Sequence, residues 1–234
     1  MRAVVIVLAI LSFVGAALAD KEPINIYEPT RDACEMPWVA FDWDFSTGNH
    51  GFTTASCDQT GGLPVWEYGV SSQVPGYVDA VWGTVLNANY PANSGQGLLS
   101  PAFTVGNDSY LLEVEHYVHT EANFDGCNVK VDGVVIQPMI VYPATISTST
   151  SYYAFCLDNQ PGWTGNGYQG PLGWLTSCFD LSAYMGQTIQ VEFDFGSDSS
   201  VQYPGWFLTY VRVGGVGGTP ADSPTWGHIK GLFH

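Results

Sequence analysis

The sequence predicts an all-β fold of antiparallel strands, a sandwich or barrel, from three observations. In residues 186–195, Ile189, Val191, Phe193 and Phe195 alternate with Gln190, Glu192 and Asp194. That is the period-2 pattern of a strand with one buried face. A polar loop through Ser197 and Asp198 leads to a second strand-like run over 206–213, and the two read as the closing pair of a sandwich. Composition agrees: 234 residues include 27 Gly, 14 Pro, 13 Tyr, 12 Phe and 8 Trp, with only 12% charged, which suits strands and turns rather than exposed helix faces. Short strand-like runs bounded by Gly, Pro, Asn or Ser also recur along the whole chain.

The elements follow in order. Arg2, an apolar run over 3–14 and small residues ending at Ala17, Leu18 and Ala19 have the layout of a secretory signal, so residues 1–19 are expected to be removed before Asp20. The run is at the short end of the roughly 20 apolar residues that span a bilayer. No Cys follows it to carry a lipid, and no later stretch is long and apolar enough to cross a membrane. The expected location is extracellular, secreted or at the cell surface. Residues 20–37, with Pro23 and Pro29, read as an N-terminal arm, and 38–213 as the sandwich.

Within 38–45, Val39, Phe41, Trp43 and Phe45 fall on one face and Asp42 and Asp44 on the other. Short strands are expected at 52–55, 65–70, 80–86 and 98–105. In 109–120, Leu112, Val114, His116 and Val118 share one face, while Glu113, Glu115, Tyr117 and His119 share the other. Residues 128–136 read as a hairpin, because Asp132-Gly133 between β-branched runs supplies the two positive-φ positions of a type I′ turn. A short strand over 152–156, an ordered loop over 159–174 and a short turn over 179–184 complete the expected sandwich. Residues 214–224 read as a Gly/Pro-rich linker. In the apolar tail 225–234, Trp226, Ile229 and Phe233 fall at helical spacing behind Ser223-Pro224. The tail is either a docking, sorting or self-assembly peptide or packs back on the domain.

Formal net charge is -16, and beyond the signal five basic residues face 22 acidic ones. Such a chain is repelled by nucleic acid and anionic membranes and is suited to solubility or cation binding. The five cysteines, Cys34, Cys57, Cys127, Cys156 and Cys178, are an odd number for an exported chain. Sequence-local pairing would join Cys34 with Cys57 and Cys156 with Cys178. Cys127 would then be left alone, buried or used between chains.

The closing run from Gly186 to Val213, with Tyr203-Pro204-Gly205-Trp206, resembles the jelly-roll accessory domains of secreted bacterial proteins. These include the non-catalytic domains of immune-inhibitor-A-like metallopeptidases and the cleaved-adhesin domains of gingipain-like proteases, broadly related to MAM domains. Phe41-Asp42-Trp43-Asp44-Phe45, the stretch from Trp82 to Pro91, Leu99-Ser100-Pro101 and Phe124-Asp125-Gly126 fit the same pattern, so the resemblance covers 38–213. It implies a jelly-roll β-sandwich, a structural cation, usually calcium, and in some members a role in adhesion. In the family pattern the last strand carries two adjacent acids where this chain has Thr209 and Tyr210. Asp42 and Asp44 match acidic positions of the first strand. With Asp125 and Asp198 they are the expected oxygen donors for the cation.

Catalytic signatures do not accompany the domain. The sequence holds no His-Glu-x-x-His and no Gly-x-Ser-x-Gly. His116 and His119, three apart on a strand, point to opposite faces and make a poor metal pair. The expected function is therefore non-catalytic adhesion or assembly, with other surface proteins, further copies of the chain or polysaccharide as partners. A carbohydrate-binding module is the alternative, with Trp66, Trp82, Trp163 and Trp174 stacking on sugar rings. A glycoside hydrolase using Glu113 and Glu115 is the third reading, since these carboxylates share a strand face.

Overall fold

Alternating faces become two stacked sheets once the strands pair. The computed structural model describes residues 34–57, 62–147, 154–166 and 174–216. The expected signal, most of the arm and the C-terminal tail lie outside these residues. The strands are β1 (Trp38–Asp44), β2 (Thr53–Ala55), β3 (Trp66–Val70), β4 (Ala80–Thr84), β5 (Gly95–Leu99), β6 (Phe103–Thr104), β7 (Leu111–His119) and β8 (Gly126–Val131). They continue with β9 (Val134–Val135), β10 (Ala144–Thr145), β11 (Pro161–Gly162), β12 (Trp174–Asp180), β13 (Thr188–Ile189), β14 (Val191–Gly196) and β15 (Gly205–Gly215).

The larger sheet runs β12-β7-β15-β4-β3, with β1 also on β15; the smaller runs β2-β5-β14-β8-β9. All of these pairings are antiparallel. The fold is thus an antiparallel β-sandwich, as the alternation predicts. The closing pair is its centre: β14 is the middle strand of one sheet, and β15 bonds β7 along one side and β4 then β1 along the other.

A bulge sets the facing of β15. Its register against β7 skips between Leu208 and Tyr210, leaving Thr209 as the extra residue. Trp206 and Leu208 before the skip, and Val211 and Val213 after it, all join the main core. Strict alternation would have turned Tyr210 and Arg212 inward. β7 supplies Leu112, Val114 and Val118 to that core, β8 supplies Cys127, Val129 and Val131, and β14 supplies Val191, Phe193 and Phe195. Burying each such side chain contributes about 1.5–3 kcal/mol. At the centre, the Trp206 ring lies 5.5 Å from Trp66, 5.9 Å from Phe193 and 6.1 Å from Trp163.

His116 is the polar member of this cluster and is fully buried. The indole N–H of Trp206 donates to its Nδ1 at 2.8 Å, so the ring proton sits on Nε2 and is donated to Ser177 Oγ at 2.9 Å. Trp163 packs edge-on at 4.4 Å, and none of these partners is charged. Burial therefore pushes the imidazole down to about 3. Its unfolded value is near 6.5, so the unfolded chain binds more protons between these pH values and stability must fall as pH drops through that window. The loss from this group is on the order of 5 kcal/mol. His116→Gln, which keeps an acceptor for Trp206, should flatten the dependence of the urea midpoint on pH between 6.5 and 3. An unchanged slope would exclude His116 as its source.

Three local expectations are corrected. Residues 174–180 form edge strand β12 rather than the end of a loop and the start of a turn. Its inward face reads Leu175, Ser177, Phe179, and Ser177 at its middle, serving His116, erases the apolar alternation. Only Ser182–Tyr184 remains as a short 3-10 turn. Residues 155–159 form turns, not the strand expected over 152–156, whose Tyr152 and Tyr153 lie outside the described residues. The expected strand over 98–105 is split around Pro101, which lacks the N–H a ladder needs, into the end of β5 and β6. The Asp132-Gly133 turn forms as expected, with φ of 49° and 76°.

The cysteine pairing is also corrected. The bridges are Cys34–Cys178 and Cys57–Cys156, separated by 144 and 99 residues. Cys34 packs beside Leu111 of β7 and Cys178 of edge strand β12, and Cys156 packs beside Cys57, just beyond the end of β2. Sheet order, not sequence distance, makes these neighbours. Cys127 is buried and unpaired.

Candidate metal centre

The larger cluster of acids arises where three loops meet at one end of the sandwich. β7 ends at His119, and the chain turns tightly, with the Asp125 N–H donating to the Glu121 carbonyl at 3.1 Å. Asn123 takes the left-handed φ of 71° within that turn. Thr164 Oγ1 donates to the Glu121 carbonyl at 2.9 Å and Thr120 Oγ1 donates to the Asp125 carbonyl at 3.1 Å, fixing both residues. Asp198 follows β14 from the other sheet, and Tyr90 reaches in from the loop between β4 and β5.

Asp125 is fully buried and its two oxygens are both used. Oδ2 accepts the Tyr90 O–H at 2.6 Å and Oδ1 accepts the Asp198 N–H at 2.7 Å. Asp198 is 1% exposed; its Oδ1 accepts the Ser200 N–H at 2.7 Å, and its Oδ2 has no partner. Glu121 Oε2 is likewise buried without one. One ligand atom from each of Glu121, Asp125 and Asp198 lies within 4.8 Å of the others. Burial, with the neighbouring acids, pushes the Asp125 carboxyl up to about 7, although the bonds from Tyr90 and Asp198 oppose it. Burial and Asp198 push Glu121 up as well. Crowded carboxylates with orphaned buried oxygens are costly by themselves and favourable around a cation. An all-oxygen donor set suits a hard divalent ion. Among the described residues this is the one such group.

Two of the four expected metal ligands, Asp125 and Asp198, are thus brought together, and Glu121 joins them. Asp42 and Asp44 do not join them. Asp42 Oδ1 accepts Arg212 Nε–H at 2.9 Å, and Asp44 Oδ1 accepts the Ser46 N–H at 2.9 Å. The Ser46 side chain, more than that backbone bond, lowers the Asp44 carboxyl below its usual range. Glu121 was missed because it reads as an ordinary loop acid. Its signal is the four-residue spacing to Asp125 across a turn.

The outward face of β7 carries the other paired acids. Tyr210 O–H donates to Glu113 Oε1 at 3.0 Å and Thr209 O–H donates to Glu115 Oε2 at 2.6 Å. Arg212 lies 4.0 Å over the Tyr210 ring, with Nη1 3.9 Å from Glu113 Oε1. Where the family pattern has two acids, this chain therefore has two hydroxyls that engage the acids of the adjacent strand. The outward turn of Tyr210 that allows this follows from the Thr209 bulge.

The expected stacking platforms are corrected. Trp66, Trp82 and Trp163 are only 7%, 7% and 4% exposed, held within the core. Large aromatics fill the space between sheets better than they tolerate water. Trp174 opens β12, and its side chain lies outside the described residues. Tyr203, exposed near the acidic cluster, is stacked on His119 at 4.7 Å, with His119 Nε2 3.3 Å from Asn166 Nδ2.

No family model matches the chain. Among curated proteins it is 27% identical over 177 residues to Bacillopeptidase F of Bacillus subtilis (strain 168), covering 73% of this chain and 10% of that protein. The chain thus spans about a tenth of the length of that relative. Solved structures similar to it include the K1 cleaved adhesin domain of Lys-gingipain from Porphyromonas gingivalis W83, at 15% identity, 76% of this chain, 98% of that chain and a TM-score of 0.43. The K3 cleaved adhesin domain follows at 14% identity, 76% of this chain, 100% of that chain and a TM-score of 0.40. The C-terminal CBM6 of the laminarinase LamC from Zobellia galactanivorans has 10% identity, 70% and 98% coverage and a TM-score of 0.32. Over about three quarters of its length, then, the chain is similar to the cleaved adhesin domains of a gingipain and to part of Bacillopeptidase F.

Proposed function

We propose that this chain is a non-catalytic extracellular domain that acts by adhesion or assembly, with its loop end organised by calcium at Glu121, Asp125 and Asp198. The observation that carries the reading is the pair of orphaned oxygens, Asp198 Oδ2 and Glu121 Oε2, facing a third buried carboxylate. Calcium is favoured over magnesium because it accepts irregular oxygen sets drawn from loops, whereas magnesium demands near-ideal octahedral geometry and retains its waters. The two disulfides support an extracellular setting. The non-catalytic reading is supported by Glu113 and Glu115, both tied by hydrogen bonds rather than poised as an acid–nucleophile pair.

Polysaccharide is the partner class favoured by one further observation: Tyr203 lies flat on His119 beside the Asn166 amide, offering a stacking face next to hydrogen-bond donors. Equilibrium dialysis should find one calcium per chain, lost in Asp198→Asn. Affinity gels carrying a panel of bacterial and plant polysaccharides should retard the protein, with less retardation for Tyr203→Ala. No bound calcium would remove the metal half of the reading, and uniform migration on every gel would remove the polysaccharide partner.

A further inference from the structure

On the outward face of the smaller sheet, β8 and β14 carry three ionisable side chains that do not reach water freely. The Lys130 and Asp194 side chains are 7% and 0% exposed, and Lys130 Nζ lies 2.5 Å from Asp194 Oδ2. Lys130 Nζ also donates to the Cys156 carbonyl at 3.1 Å, within the segment that roofs this face and is anchored there by the Cys57–Cys156 bridge. Asp194 Oδ1 is buried without a hydrogen-bond donor. Glu192, two residues earlier on the same face, aims its carboxyl at the same place. A Cβ on Gly97 would stand 2.6 Å from Glu192 Oε1 and 2.8 Å from Asp194 Oδ1, so both oxygens converge on the space that this glycine leaves open. Two carboxyl groups facing one glycine-sized space disfavour double ionisation and so favour a proton on one of them. Burial, then Glu192, favours the protonated Asp194 carboxyl, and Lys130 opposes it, with the balance up at about 7.

We propose that Lys130 and Asp194 are joined by an intramolecular amide bond, with Glu192 as the proton relay. Proton transfer along the short contact turns ammonium and carboxylate into amine and carboxylic acid, a change that relieves the cost of a buried ion pair. The free amine of Lys130 then attacks Asp194 Cγ. The new N–C bond forms as the Glu192 carboxylate takes a proton from the attacking nitrogen. Glu192 delivers that proton to the departing hydroxyl, the C–O bond breaks and one water leaves. Nothing is oxidised or reduced, and no co-reactant enters. Fixed approach of the two groups replaces the bimolecular encounter that makes the reaction slow in solution. The product would be a covalent tie between β8 and β14 that reductant cannot open. It does not depend on the metal centre.

The test is the intact mass of the purified full chain after reduction and denaturation. The expected mass is lower than that of the unmodified polypeptide by one water, and a proteolytic map should contain one branched peptide joining Lys130 to Asp194. Asp194→Ala should show the full mass. Glu192→Gln keeps the reacting pair and should form the bond at least about 100-fold more slowly, the usual cost of removing a general acid–base group. Full mass for the wild-type chain after days at neutral pH would overturn the proposal. So would loss of water that maps to a cyclised Asp132-Gly133 or Asp125-Gly126 instead.

Discussion

Reduction of both disulfides is expected to remove most of the protein's stability. Cys34–Cys178 and Cys57–Cys156 are nested, the second lying wholly within the first. The inner bridge closes 99 residues, a constraint on the unfolded chain of about 4.7 kcal/mol. Once it is closed, the outer bridge no longer spans 144 residues; the unfolded chain crosses the inner bridge, leaving a loop of about 45 and a contribution of about 4 kcal/mol. Together these rival the whole free energy of an ordinary domain, about 5–15 kcal/mol. Urea unfolding with and without reductant measures the effect. The Cys34→Ala/Cys178→Ala and Cys57→Ala/Cys156→Ala pairs should each lower stability by roughly half of the total. Coincident oxidised and reduced transitions would show that the bridges do not constrain the unfolded chain as this nesting requires.

Calcium should raise the melting temperature of chelator-treated protein at pH 8 by roughly 5–10 °C when present at about 100 times its dissociation constant. The gain should shrink as pH falls. Without a cation, burial, with the charges of Asp198 and Glu121 and against the hydrogen bond from Tyr90, raises the Asp125 carboxyl to about 7 from an ordinary 3.8. Between these values the folded chain binds more protons than the unfolded chain, so apoprotein stability falls as pH rises, by on the order of 4 kcal/mol across the window. Calcium binds the ionised form and offsets that loss, so its benefit is largest where the apoprotein is weakest. Asp125→Asn should reverse the pattern, with a more stable apoprotein at pH 8 and no response to calcium. Scanning calorimetry at pH 5 and pH 8 distinguishes the two, and a wild-type transition indifferent to calcium at pH 8 would sink the metal reading.

What the sequence discloses about this fold depends on whether a residue's neighbours are local. Leu112, Val114, His116 and Val118 alternate with acids and place β7 directly. Asp132-Gly133 specifies its own turn. β12 escapes because Ser177 serves His116 from the core side, a need invisible without the facing strand. The bridges escape because Cys34 and Cys178 meet only after β12 takes the sheet edge. At the candidate metal centre, Asp125 and Asp198 lie in stretches that carry the sequence resemblance, whereas Glu121 becomes a partner only when β7 and β14 end at the same pole. Trp66, Trp82 and Trp163 mislead for a related reason: composition reports aromatic content but not which side of a sheet it occupies.

The outer bridge has a mechanical consequence. Tension applied to residues 34 and 216 crosses directly from Cys34 to Cys178 through sulfur, so the chain between them carries no load. Only residues 179–216 can lengthen, about 38 residues or roughly 130 Å at full extension. That loaded stretch contains β14 and β15, each enclosed by partner strands on both sides. Yielding would mean drawing out the middle of both sheets rather than peeling an edge. Asp198 lies within the loaded stretch and Asp125 within the shielded one, so an ion held between them would act as a latch across the path of the pull.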